Sequence, residues 1–212
     1  MLLGAFCRLI EWDPENDETL RARYTRCMVQ SATPHGYITV EEYLELEKTS
    51  SVKHEYVAGE IHAMVGASRR HNRIAVNILR RLADAAEGGP CRVYISDMKL
   101  RVADDLFYYP DVMVACEPEP DDPYTENEPC LVVEVVSPST ETTDRREKLA
   151  AYKKMPSLRA YLIVAQDRQW IERHWRGKDG VWRRADLVDE EALVPFPCPE
   201  METTIARIYE GL

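Results

Sequence analysis

Glu134 is the residue whose surroundings say most about chemistry. It interrupts Leu131-Val-Val-Glu-Val-Val136, an otherwise apolar run of the kind that fills a strand buried on both faces. A carboxylate in such a run must be paired, protonated, set at a strand end or bound to a cation, because burying an isolated charge is costly. A structural ion pair or an exposed face is the plainer alternative. Asp111 supplies a second acid in a similar setting: it follows Pro110 and opens the apolar stretch Val112-Met-Val114. Were these two strands neighbours, both carboxylates would converge at one edge of a sheet. Their repulsion is most simply relieved by a divalent cation, and oxygen ligands from two acids, with water completing the shell, suit Mg²⁺ or Mn²⁺. An ion held in this way lowers the pKa of a bound water and stabilises charge on a phosphate in transfer.

The elements that must position these acids are legible in outline. Thr39-Val-Glu-Glu42 fits a capping box, in which a hydroxyl and a carboxylate satisfy reciprocal backbone donors, and predicts a helix to about Thr49. Residues 55–65 alternate around Ala58-Gly59, the pattern of a hairpin. From Ser68 the apolar positions Ile74, Ile78, Leu79 and Leu82 have helical spacing, stopped by Gly88-Gly89-Pro90. Residues 92–102 and 108–115 each read as one strand, 117–128 as an acidic solvated loop, and 130–136 as the most apolar strand. Ser137-Pro-Ser-Thr140 reads as a turn. Asp144-x-x-Glu147 can cap a helix to about Met155, and three strands follow over 160–166, 170–176 and 181–187. This order predicts a mixed α/β fold, a central mixed β-sheet flanked by helices. Residues 1–33 lack periodicity and are expected to form a flexible N-terminal extension to a domain at 34–212, with the folded unit beginning near Tyr37.

Composition narrows the function classes. The chain of 212 residues carries 27 basic and 37 acidic side chains, net −10, with pI near 5.1. That balance disfavours a generic nucleic-acid coat or adhesion to an anionic membrane, while leaving room for a locally basic cleft. Residues 143–184 hold 12 Lys/Arg against 5 Asp/Glu, together with Trp170, Trp175 and Trp182. Such a segment can track a nucleic-acid backbone and stack on bases, although alternating Arg and Trp equally describe a hairpin with one wet and one buried face. No apolar stretch approaches the ~18–20 residues of a membrane span. The six cysteines stand 14 to 68 residues apart without a Cys-x-x-Cys pair, so neither a zinc framework nor secretion is expected. The protein reads as cytoplasmic, with reduced thiols.

As an ordered set, Tyr109-Pro-Asp-Val112, Leu131-Val-Val-Glu-Val-Val-Ser-Pro-Ser-Thr140 and Asp144-x-x-x-Lys148-x-x-x-Tyr152 resemble the Uma-type restriction endonucleases, assigned to the PD-(D/E)XK nuclease superfamily. Glu55-Tyr-Val-Ala-Gly-Glu60, His71, Ser96-Asp-Met-Lys99 and Pro156-Ser-Leu-Arg-Ala-Tyr161 add to the likeness, which covers roughly Tyr37 to Leu212. The resemblance implies a restriction-endonuclease-like fold and a Mg²⁺- or Mn²⁺-dependent endonuclease acting on DNA. It makes Asp111 and Glu134 the paired metal-binding acids.

The superfamily pattern places a lysine two residues after the second acid, and here that position is Val136. The resemblance makes Lys148 the natural replacement, one turn into a helix that can fold back over the metal edge to orient water or neutralise phosphate charge, while the residues alone favour a surface pair of Lys148 with Asp144. Lys99, on the strand before Asp111, is the second candidate. Asp144, Lys148 and Tyr152 share one helical face by spacing, yet Asp144 is equally a helix cap and Tyr152 reads as a core contact before a catalyst. Glu60 is either a third metal ligand or an exposed turn residue, and His71 either a phosphate contact or a structural helix-start residue. Ser137 and Ser139 lack a general base nearby in sequence, which argues against a serine nucleophile. Two rival readings remain open: a catalytically inactive nuclease scaffold that acts by binding, and a hydrolase of RNA or another phosphoester. Cutting of both strands would be simplest for a homodimer.

Overall fold

Two interruptions that the alternation of apolar residues hides decide the architecture. The structure, a computed structural model, describes residues 37–137 and 144–212; the expected extension at 1–33 and residues 138–140 of the expected turn lie outside the described residues. The run 92–102 is broken at Ser96, whose backbone takes φ +35°, into β3 (Arg92–Ile95) and β4 (Lys99–Ala103). The run 108–115 is broken at Pro110, which has no amide hydrogen to give a ladder, leaving β5 (Leu106–Tyr108) and β6 (Val112–Ala115). In each case the two halves enter different sheets.

The remaining strands are β1 (His54–Val57), β2 (Glu60–Ala63), β7 (Thr125–Glu126), β8 (Pro129–Val136), β9 (Ala160–Ala165), β10 (Ile171–Arg176), β11 (Trp182–Leu187), β12 (Leu193–Pro197) and β13 (Glu200–Thr204). They form a six-stranded sheet of order β11-β10-β9-β8-β6-β3, a five-stranded sheet of order β2-β1-β5-β4-β7 and the pair β12-β13. The six-stranded sheet is mixed, because β8 and β9 run parallel while its other neighbours are antiparallel. A parallel pair needs a crossover rather than a hairpin. The connecting segment carries a π-helical turn, Asp144–Lys148, that runs into α3 (Leu149–Tyr152). The helices α1 (Val40–Thr49), α2 (Arg69–Ala86) and α4 (Ile205–Ile208) complete the expected mixed α/β fold. The acidic run expected to be wholly loop contains β7, which extends the five-stranded sheet beside β4.

Side-chain alternation assigns each sheet face a partner. One face of the six-stranded sheet presents Val112, Val114, Leu131, Val133, Val135, Leu162 and Val164 to Ile74, Ile78 and Leu82 of α2. The opposite face presents Met113, Val132, Val136, Tyr161 and Ile163, which meet Tyr152 of α3 and Leu100 and Tyr108 of the five-stranded sheet. The outer face of that smaller sheet packs Tyr56 and Phe107 against Tyr43 of α1, with ring centroids 4.8 and 5.4 Å from Tyr43. The capping box of α1 forms as its residues predict: the Thr39 amide donates to Glu42 Oε2 (2.8 Å) and the Glu42 amide to Thr39 Oγ1 (3.2 Å). The β1–β2 turn uses Ala58 and Gly59, both at positive φ, the backbone that a two-residue hairpin of type I′ requires.

The cysteines depart from the expectation of reduced thiols. Cys91 is bonded to Cys116 and Cys130 to Cys198. The register of β3, β6 and β8 brings the ends of three neighbouring strands together and overrides their separation in sequence. Among the described residues no helix is long and apolar enough to cross a membrane.

Candidate active site

Both acids stand where strand order puts them. Val112 of β6 pairs with Val133 of β8 in antiparallel register. Asp111, one residue before Val112, and Glu134, one residue after Val133, therefore share the next rung. Asp111 Oδ2 accepts from the Val135 amide at 2.7 Å and lies 3.1 Å from His71 Nε2, near the start of α2. The cap that fixes this helix start is Ser68, whose hydroxyl accepts from the His71 amide (3.1 Å). His71 thus bears on one of the paired acids through a side chain set by the helix start.

Glu134 is 4% exposed although every residue of its strand is buried. Its Oε1 accepts from Tyr152 Oη at 3.0 Å and from Lys148 Nζ at 3.2 Å. Lys148 Nζ also lies 2.9 Å from Glu55 Oε1 and 5.1 Å from the centre of the Tyr108 ring. The ammonium is therefore held between a carboxylate of β8 and a carboxylate of β1, one from each sheet. Burial, reinforced by the Glu134 carboxylate, pushes the Tyr152 hydroxyl well above the ordinary tyrosine range, so it serves as a proton-bearing donor. The Tyr108 hydroxyl donates to Glu147 Oε1 (2.8 Å) and is raised by burial and then by that carboxylate.

The π-helical turn explains how neighbouring side chains reach different walls. Its wider turn sends Arg145 to Glu172 of β10 (3.1 Å), Glu147 to Tyr108 of β5 and Lys148 to Glu134 and Glu55. Lys148 and Tyr152, four residues apart, close on one carboxylate oxygen, as i, i+4 spacing allows. The side chain of Asp144 lies outside the described residues.

Two residues named from sequence stand elsewhere. Glu60 opens β2 on the exposed side of the hairpin, 3.9 Å from His62. Lys99 lies on the outer face of the five-stranded sheet, because its neighbour Leu100 points inward toward Tyr108 and Tyr152. Lys99 is 5% exposed, its Nζ is 5.3 Å from the Tyr43 ring centre, and burial lowers its pKa. It borders a cavity of about 740 Å³ lined also by Glu47, Lys53, Tyr109 and Asp122. There Glu47 accepts from Tyr109 Oη (2.8 Å) and pairs with His54 Nδ1 (2.7 Å). The sheet itself separates Lys99 from Glu134.

Glu55 and Glu47 are the acids that motif reading passes over. Alternation along His54-Glu55-Tyr56 is the signal for both: it turns Glu55 inward to Lys148 and His54 outward to Glu47. Arginines of the basic segment stack on its tryptophans, Arg145 and Arg168 on Trp170, Arg173 on Trp175 and Arg176 on Trp182, at 4.5 to 5.2 Å.

Asp111 and Glu134 share one rung and offer carboxylate oxygens, the hard donors that divalent cations take. Asp111 and Glu134 are the residues that would hold such an ion.

Comparison with known proteins bears on family and fold. The family model Uma2, described as "Putative restriction endonuclease", matches residues 40–206. Two proteins of Synechocystis sp., both named as uncharacterized, are similar over most of their length. One, slr1290, is 38% identical over 154 residues, 71% of this chain and 80% of the relative. The other, sll1609, is 34% identical over 166 residues, 75% of this chain and 92% of the relative. A crystal structure from Anabaena variabilis, described as a "putative nuclease belonging to DUF820", shares the fold with TM-score 0.66 at 18% identity. It covers 81% of this chain and 97% of that chain.

Proposed function

This chain belongs to the Uma2 family, and we propose that it is a divalent-metal-dependent endonuclease that hydrolyses phosphodiester bonds of DNA. In this reading Asp111 and Glu134 hold Mg²⁺ or Mn²⁺, and Lys148 stands in for the superfamily lysine that Val136 replaces. The observation that carries the reading is the position of Lys148, buried and 3.2 Å from Glu134 although 14 residues away in sequence.

A divalent cation at these acids would supply Lewis acidity and offset negative charge at the phosphate. The rest of the work falls to side chains of the chain. Lys148 donates toward the reacting phosphate or the attacking water and offsets charge on the phosphoryl oxygens. Tyr152 holds Glu134 in one rotamer by donating to Oε1, while the Val135 amide and His71 fix Asp111. Glu55 keeps the ammonium from swinging away from β8. Water forms a new bond to phosphorus as the in-line ester bond to the leaving alcohol breaks, and positioning supplies much of the acceleration.

The experiment is cleavage of supercoiled plasmid with Mg²⁺ or Mn²⁺ by wild type, Glu134→Gln and Lys148→Ala, each checked for folding by circular dichroism. Nicking by wild type that disappears in both variants supports the mechanism. Nicking that survives Lys148→Ala removes the lysine from it. The rival reading, a nuclease scaffold that binds without cutting, draws support from the overall charge of −10 and from Lys148 already being engaged by two carboxylates. Absence of both cleavage and Mn²⁺ binding in folded wild type would decide for that rival.

A further inference from the structure

Two bonded cysteine pairs, drawn from four separate segments, lie in contact with each other. Cys91 immediately precedes β3, Cys116 immediately follows β6, Cys130 is the second residue of β8, and Cys198 lies in the turn between β12 and β13. Sheet register produces the meeting. Arg92 pairs with Ala115, which sets Cys91 opposite Cys116, and Ala115 in turn pairs with Pro129, next to Cys130. The β12–β13 hairpin then lays Cys198 over them. Beyond the two bonded pairs, Cys116 Sγ is 3.5 Å from Cys130 Sγ, so the pairs are in contact with each other. The sulfurs of Cys116, Cys130 and Cys198 all lie within 4.8 Å of one another, and Cys91 joins this group through its bond to Cys116. Cys130 and Cys198 are 7% and 4% exposed, and all four belong to or pack against the core beneath α2.

Two isolated disulfides have no need to touch. A tetrahedral tetrathiolate does need its four sulfurs in one cluster: with Zn–S bonds of ~2.3 Å the sulfurs stand roughly 3.8 Å apart. The 3.5 Å contact between the bonded pairs is already close to that edge. The donor set decides the metal class, since four soft sulfurs select zinc over Mg²⁺, Ca²⁺ or Mn²⁺.

We propose that Cys91, Cys116, Cys130 and Cys198 form a structural zinc site in the reduced protein, and that the two disulfides are its oxidised, metal-free form. Passing from one form to the other balances: two dithiol reductant molecules deliver four electrons and four protons to the two disulfides, and binding of one Zn²⁺ displaces the four thiol protons. With all four positions filled by protein, the site is closed and its role is to pin strand ends rather than to activate water. It lies near the start of β8, whereas Glu134 lies toward the end of the same strand, so it is independent of the proposed acid site.

The test is zinc content, by inductively coupled plasma mass spectrometry, of the full chain purified under nitrogen with dithiothreitol. One zinc per chain is expected in wild type and in Glu134→Gln, with loss of most of it in Cys116→Ser and Cys130→Ser. Because serine variants can fail to fold, the reduced wild type is also titrated with Co²⁺. The intense thiolate-to-cobalt charge-transfer bands of a tetrahedral site are expected, together with protection of four thiols from alkylation. Reduced, folded wild type that binds neither zinc nor cobalt overturns the proposal. So does zinc that persists in both serine variants, or that disappears in Glu134→Gln.

Discussion

A buried lysine lies against each face of the five-stranded sheet, and the two are treated in opposite ways. On the inner face Lys148 lies between Glu134 and Glu55 at 3.2 and 2.9 Å, with Tyr152 closing on the same Glu134 oxygen. On the outer face Lys99 makes no ion pair with described residues and meets the Tyr43 ring instead, while Glu47 on that side is engaged by His54 and Tyr109. A lysine clamped by two carboxylates is fixed in place, which is what a group that must orient water or meet a phosphate requires. Burial outweighs the attraction of Glu47 and Asp122 for Lys99, so its charge costs stability. The difference teaches that distance along the chain to Asp111 is a poor guide to which lysine meets Glu134, whereas the face of the sheet is a good one.

The sharpest way to break the comparison is to remove each ammonium in turn. Lys148→Met leaves two acids without their common counter-charge, and the expected cost is about 3–5 kcal/mol, the usual result of breaking a buried pair from one side. Urea unfolding measures it, and a cost under about 1 kcal/mol would show the clamp to be ornamental. The carboxylates come next. Glu134→Gln keeps shape and acceptor but removes charge, and should weaken Mn²⁺ binding by more than roughly tenfold, the loss that even an outer-shell partner causes at metal sites. Glu47→Gln should leave Mn²⁺ binding unchanged while losing about 1.5–3 kcal/mol of stability through its charged hydrogen bonds. Equal effects of the two substitutions on Mn²⁺ affinity would erase the distinction between the faces. Smaller effects are expected from the hydroxyls. Tyr152→Phe and Tyr109→Phe each delete one donor to a buried carboxylate, worth about 1.5 kcal/mol apiece, but only Tyr152→Phe should slow plasmid nicking.

How much of this was legible in sequence follows from which signals are local. The capping box at Thr39 and Glu42 is local, and it forms as read. Glu134 announced itself by standing in an apolar run, and the meeting of Lys148 with Tyr152 follows from spacing within one turn. The face of Lys99 was not legible, because it depends on the breaks at Ser96 and Pro110 that send β3 and β6 to one sheet and β4 and β5 to the other. Apolar alternation runs through both breaks without a mark. Glu55 was passed over in favour of Glu60 for a related reason: the two-residue turn at Ala58-Gly59 carries Glu60 onto an exposed strand, whereas Glu55 faces inward. The cysteines show the same limit. Ligand spacing is read along the chain, but register across three strands gathered Cys91, Cys116 and Cys130.

The smallest expected effect concerns Lys99 and has a sign that tests the comparison directly. Burial lowers the pKa of this ammonium from its ordinary value of 10.5. The folded state therefore gives up the proton more readily than the unfolded state. Between the lowered value and 10.5 the unfolded chain holds more protons, so stability rises with pH across that window. Below it the full penalty of a buried, charged lysine is present. Lys99→Met removes the penalty and keeps an unbranched chain to fill the space beside Tyr43, so the variant should be more stable than wild type by about 1 kcal/mol at neutral pH. That advantage should shrink as the pH approaches 10.5, because wild type then sheds the charge that the variant never had. Thermal unfolding of both proteins at pH 7 and pH 9.5 measures the two differences. A destabilised Lys99→Met at neutral pH would mean that attraction to Glu47 and Asp122 outweighs the burial penalty, and the two faces of the sheet would then be alike.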